Sequence, residues 1–171
     1  MKKTLKVIGL LLIAAPAAAG EPLPKQVADM DCIVGAWKGA GSLTMGAAKS
    51  SIVATWTCKR TSAQYGVLCT FHVTGIPGVA AYEETDLMGY EPNSNTYHWY
   101  SVTNAGETHD HVAKAAPSSS IEFVYSGTQE GKPFKEVISL NFGSDSKSLS
   151  GRAETFVAGA STSVMELALK K

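Results

Sequence analysis

The sequence predicts an all-β fold: a single up-and-down antiparallel β-barrel of about ten strands, with a short helical turn before the first of them. Three observations predict it. Windows of alternating apolar and polar residues recur along the chain, separated by Gly, Pro, Asn, Asp or Ser, which is the pattern of a sandwich or barrel. Beyond the first twenty residues, no long stretch of helical period is available to cover an open sheet. Closing a meander of this length removes the unpaired strand edges that an open sheet would expose.

The N-terminal segment stands apart from that barrel. Met1-Lys2-Lys3 opens a basic stretch through Lys6, followed by the apolar run Val7 to Ala15 and then Pro16-Ala17-Ala18-Ala19-Gly20. These are the three parts of a cleavable secretory signal. The apolar run is shorter than the roughly 20 residues a membrane-spanning helix needs. Residues 1–19 therefore read as a removed leader, 20–32 as a tether and 33–171 as the barrel domain. The expected address is periplasmic or secreted, with no membrane anchor after cleavage.

The remaining stretch of about 150 residues has the size of one domain. Of 15 basic and 15 acidic residues, Lys2, Lys3 and Lys6 leave with the leader, so the mature balance is mildly negative. That balance disfavours a nucleic-acid partner, which would need a basic face.

Taken in order, Lys25 to Asp31 has room for one or two helical turns. Strands are expected at 34–44, 49–60, 66–74, 80–90, 96–102, 107–115, 120–126, 133–142, 148–157 and 162–169. On the eighth, Phe134, Ile138, Leu140 and Phe142 share one side, although Glu136 interrupts them. On the tenth, Met165, Leu167 and Leu169 lie opposite Thr162 and Glu166. Such faces require a common interior.

Export makes the three cysteines disulfide candidates. Cys58 and Cys69 flank a plausible loop, and setting them opposite each other also puts Trp56 opposite Phe71 and Ala54 opposite Val73. In that pairing Cys32 stays outside the bridge or joins a second molecule, as a monomer or dimer. The competing pairing joins Cys32 to one of the other two.

The first strand carries Gly35-Ala36-Trp37-Lys38-Gly39-Ala40-Gly41, in which Gly35, Trp37, Gly39 and Gly41 share one face. Together with Asp86-Leu87-Met88-Gly89-Tyr90-Glu91-Pro92, Tyr97-His98-Trp99-Tyr100 and Asn104-Ala105-Gly106, this strand resembles a bacterial lipocalin-like family known only as a domain of unknown function. The resemblance implies a calycin-type barrel, often exported, without a settled activity. The first-strand pattern is also similar to the nitrobindins, which hold haem through a histidine late in the chain. No histidine follows His111 here, so haem is not expected.

Three groups of residues are candidates for chemistry. With a two-residue turn at Asn104-Ala105, His98 lies opposite His111, and His109 falls on the same face with Glu107 beyond it. Three imidazoles so placed suit Zn²⁺ or Cu²⁺ with a water completing the shell. A turn longer by one residue moves two of them to the opposite face. Arg152 sits mid-strand, either inward to meet a ligand carboxylate or outward with Glu154. Aromatic residues gather at Tyr82, Tyr90, Tyr97, Trp99 and Tyr100, either walling a pocket or filling a core. No nucleophile elbow, zinc-protease motif or phosphate loop occurs. The neighbours Glu83 and Glu84 point to opposite faces and cannot act together.

The reading these observations favour is an exported, non-enzymatic barrel for a small apolar or amphipathic molecule, with no cofactor required. Trp37, Gly39, Tyr90, Trp99, Tyr100 and Arg152 are its candidate contacts. The alternatives are a metal protein or enzyme built on His98, His109 and His111, and a solid barrel that works through its outer surface.

Overall fold

The computed structural model describes residues 22–114 and 119–171; the leader expected over residues 1–19 lies outside them. A helical turn α1 (Lys25–Ala28) runs directly into a 3₁₀ turn (Asp29–Cys32). Ten strands follow: β1 (Gly35–Met45), β2 (Ala48–Arg60), β3 (Gly66–Thr74), β4 (Tyr82–Glu91), β5 (Thr96–Thr103), β6 (Thr108–Ala113), β7 (Ser120–Gln129), β8 (Lys132–Phe142), β9 (Ser148–Val157) and β10 (Ala160–Lys170). Each pairs antiparallel with its neighbour in sequence, and β10 returns to β1, so the sheet is a closed barrel. No helix among the described residues is long and apolar enough to cross a membrane.

Tight turns set the registers. At Glu130-Gly131 and at Ala158-Gly159 both central residues have positive φ, at 50° and 75° and at 51° and 82°. This mirror-image turn matches the twist of the strands it joins. Closure depends on Gly39 and Gly41 of β1. A Cβ on Gly39 would lie 1.9 Å from the Ala168 carbonyl oxygen, and one on Gly41 would lie 1.8 Å from that of Glu166. The missing side chains are what let β10 come so close. The seam between β6 and β7 is looser, with Val112 opposite Val124 as its one register pair among the described residues.

One end of the barrel is plugged. Val27, Met30 and Ile33 of the N-terminal turns are buried against Trp37, which is 1 % exposed. The Trp37 indole N–H donates to the Ile33 carbonyl at 2.7 Å, its ring meets Phe142, and Lys171 Nζ lies 4.4 Å above it. Arg60 ties the segment down by donating to the Val27 carbonyl at 2.7 Å and to Asp31 Oδ1 at 2.6 Å.

Beside this plug, Cys58 and Cys69 form a disulfide with their Cα atoms 4.1 Å apart. The expected register holds around it, pairing Trp56 with Phe71 and Ala54 with Val73. Cys32 stands outside that bridge. Its thiol donates to the Asp29 carbonyl at 3.2 Å, and burial pushes its pKa up to about 11.

Candidate functional site

The opposite end of the barrel is hollow. A cavity of about 110 Å³ is bounded by Trp56, Trp99, Glu84, His109, Glu136 and Met165, among other residues. Its floor is the stacked pair Trp56 and Trp99, with ring centroids 5.5 Å apart and Phe123 edge-on to Trp99. Two unlike walls rise from that floor. Leu140, Leu149, Leu167 and Leu169 make an apolar side, where Gly151 leaves space that any other residue would occupy. Tyr82 and Glu84 of β4, Ser101 and Thr103 of β5, His109 and His111 of β6 and Glu136 of β8 make the polar side.

The β5–β6 hairpin differs by one residue from the expected register. Its loop is Asn104-Ala105-Gly106, three residues long, with the Thr103 N–H donating to the Glu107 carbonyl and Gly106 at φ 83°. A left-handed residue in third place is what a three-residue hairpin loop requires. The extra residue sets His111 opposite Trp99 and His109 opposite Ser101, while His98 faces Val112. His109 and His111 therefore point inward. His98 points outward, where its Nδ1 lies 3.0 Å from Asp110 Oδ1. The three imidazoles do not converge, because a one-residue slip reverses the face of every side chain on a strand.

What joins the two inward histidines is a carboxylate. Glu136 Oε2 lies 2.8 Å from His111 Nε2 and 3.2 Å from His109 Nδ1. Burial pushes the Glu136 carboxyl up, but the hydrogen bonds and charges of His111 and His109 outweigh it and hold the group below its ordinary range. The rings are fixed by packing as well. His109 stacks on Tyr125 with centroids 4.1 Å apart, and the His111 ring, 1 % exposed, has Nδ1 3.4 Å from the Trp99 carbonyl.

A second polar group hangs from β4, where Tyr82, Glu84 and Asp86 share the inner face. The Tyr82 hydroxyl donates to Glu84 Oε2 at 2.9 Å, and the Trp56 indole donates to Asp86 Oδ2 at 3.0 Å. Asp86 Oδ1 and Trp99 Nε1 are buried without a hydrogen bond of good geometry, although Trp99 and Glu84 lie near enough to favour the Asp86 anion. Burial, reinforced by the neighbouring Asp86, pushes Glu84 up to about 9. Burial raises Asp86 too. Two carboxyls so close and so buried share a proton at neutral pH rather than carrying two charges. Burial and the adjacent Glu84 also push the Tyr82 phenol far above its ordinary range.

The other sequence candidates are dispersed. Trp99 lines the cavity, but Trp37 sits in the plug and Gly39 in the β1–β10 seam. Tyr90 packs on Tyr97 and donates to Asn95 at 2.9 Å, and Tyr100 is 47 % exposed on the outer surface. Arg152 borders the cavity, yet its alternation with Gly151 and Ala153 turns its side chain outward, where it pairs with Glu154 and lies 4.0 Å from Glu166. The residues that sequence reasoning missed are Tyr82, Glu84, Asp86 and Glu136 in these polar roles. For Glu136 a signal existed, since it is the polar residue that breaks the apolar face of β8.

No family model matches the chain, and no curated protein matches it in sequence. Among solved structures, the chain is similar to the crystal structure of Rv2717c from M. tuberculosis. The TM-score is 0.67, over 88 % of this chain and 99 % of that one, at 14 % sequence identity. At that identity the likeness establishes a shared barrel architecture and nothing finer.

Proposed function

We propose that the protein is an exported carrier or receptor holding a small, neutral, amphipathic molecule in the open end of its barrel. The observation that carries this reading is the pair of unlike walls: leucines and Gly151 on one side, and Ser101, Thr103, Glu84 and His109 on the other, above a floor of two tryptophans. An apolar body lies against the leucines while a hydroxyl or carbonyl meets the polar wall, which is the division of labour common in small-molecule sites. The proton shared by Glu84 and Asp86 lowers the charge of that wall and suits it to an uncharged partner.

Gly151 provides the test. A Cβ there would meet Leu140 at 3.5 Å, an ordinary contact, so a β-branched residue fits the strand while its outer atoms fill the hollow. Calorimetric titration of the wild type with 1-naphthol, a neutral two-ring amphipath, is expected to show one site. Gly151→Val is expected to weaken it by about tenfold or more, which is roughly 1.4 kcal/mol. Equal affinity in both proteins, or no binding by the wild type up to millimolar 1-naphthol, would remove the cavity from the account.

A further inference from the structure

The convergence of His109, His111 and Glu136 does not depend on the small-molecule reading and asks for its own explanation. Their ligating atoms all lie within 4.8 Å of one another. In a tetrahedral shell with ligands at about 2.0 to 2.1 Å, donor atoms stand about 3.3 Å apart. The two contacts to Glu136, 2.8 and 3.2 Å, need to spread by about half an ångström at most to reach that spacing, and the two imidazole nitrogens lie within the same 4.8 Å bound.

Donor chemistry points the same way. The Trp99 carbonyl, 3.4 Å from His111 Nδ1, can take a proton from that nitrogen in a hydrogen bond, and in the tautomer that has it there Nε2 turns its lone pair toward Glu136. In that tautomer both facing atoms are acceptors, and a cation between them, a further proton or a metal ion, satisfies the pair. A ring nitrogen held by a backbone carbonyl while its other nitrogen faces the ion is the usual outer-shell arrangement at metal sites. His109 is held differently, stacked on Tyr125 and with Phe134 5.4 Å away, so neither ring must be ordered when an ion arrives.

We infer that His109, His111 and Glu136 form a three-ligand site for a divalent first-row transition metal, with its remaining coordination positions opening into the cavity. Two imidazoles and one carboxylate with open positions are a donor set suited to Zn²⁺ and its neighbours. The open positions face Ser101, Thr103 and the apolar wall. A water oxygen, or the oxygen of a hydroxyl- or carbonyl-bearing amphipath, would complete the shell. His98 takes no part, since it lies on the outside of the same hairpin.

The experiment is titration of chelator-washed protein with Zn²⁺ by calorimetry, and with Co²⁺ by absorption spectroscopy. One ion per chain is expected at micromolar or tighter affinity, with a Co²⁺ spectrum free of thiolate charge-transfer bands. His109→Ala and Glu136→Gln are each expected to weaken binding roughly 100-fold or more, while His98→Ala leaves it unchanged. Because a buried change at His111 can unfold the chain, that ligand is read in the wild type instead: Co²⁺ should broaden the NMR signals of His109 and His111 far more than those of His98, on the outside of the hairpin, and of His72 on β3. Absence of binding at micromolar metal, equal loss in His98→Ala, thiolate bands from Cys32, or broadening centred on His98 would each overturn the site.

Discussion

At the end capped by residues 25–33, the polar atoms of the plug are spent on structure. Trp37 gives its N–H to Ile33, Arg60 gives its donors to Val27 and Asp31, and a disulfide crosses β2 and β3 beside them. At the other end, the same strands carry inward-facing carboxyls, imidazoles and a phenol around open space, with Asp86 Oδ1 and Trp99 Nε1 buried and unsatisfied. The first arrangement holds the barrel together. A well-packed end can offset the cost of buried polar groups at a binding site elsewhere in the same fold. Both ends use the same alternation, and each leaves a buried polar atom without a partner, the Tyr97 hydroxyl near Asp29 at the plugged end; what separates them is that apolar side chains fill the first while polar ones line open space in the second.

Trp37→Ala is the strongest way to break this contrast. Removing a fully buried indole from the plug is expected to cost about 3 to 5 kcal/mol, read as a lower midpoint in urea unfolding. The affinity of the remaining folded protein for 1-naphthol should not change. A loss under about 1 kcal/mol would mean that the plug is not where the stability resides.

Glu84→Gln probes the other end through pH. A carboxyl raised from 4.5 to about 9 stabilises the fold fully below its ordinary pKa, and that contribution drains away as pH rises through the folded value. Wild-type stability is therefore expected to fall between pH 5 and pH 9. In Glu84→Gln the fall should shrink by at least about 1.4 kcal/mol, the worth of one pKa unit, while the part due to Asp86 persists. Chemical denaturation at a series of pH values measures it, and identical slopes in the two proteins would show that Glu84 does not hold the proton.

The smallest effect is expected from Arg152→Ala. Its exposed pairing with Glu154 predicts a change within about 0.5 kcal/mol. It also predicts unaltered 1-naphthol affinity, so weakened binding would place the guanidinium inside the site.

Much of the architecture was legible because alternation is a local signal. Strand positions agree with the sequence expectation to within about two residues at nearly every end, and the β2–β3 register was readable because two cysteines and two apolar pairs agreed on it. The site was less legible for two reasons. The β5–β6 register turned on whether Gly106 belongs to the loop, a single backbone torsion that decides which histidines face inward. On β4, Glu83 and Thr85 lie on the outer face and Glu84 and Asp86 on the inner one, so polarity does not alternate and no periodicity marks the buried acids. Only the fold of β3 and β5 around them decides which carboxyls are inside.

The seam at Val112 and Val124 gives this ring of strands a preferred place to part. Among the described residues the β6–β7 ladder has fewer register pairs than the glycine-tightened closure between β1 and β10, so amide hydrogen exchange is expected to be faster there than along that closure. His109 and Tyr125 stack across that seam with ring centroids 4.1 Å apart, so a ring contact supplies there part of the cohesion that the backbone ladder supplies elsewhere.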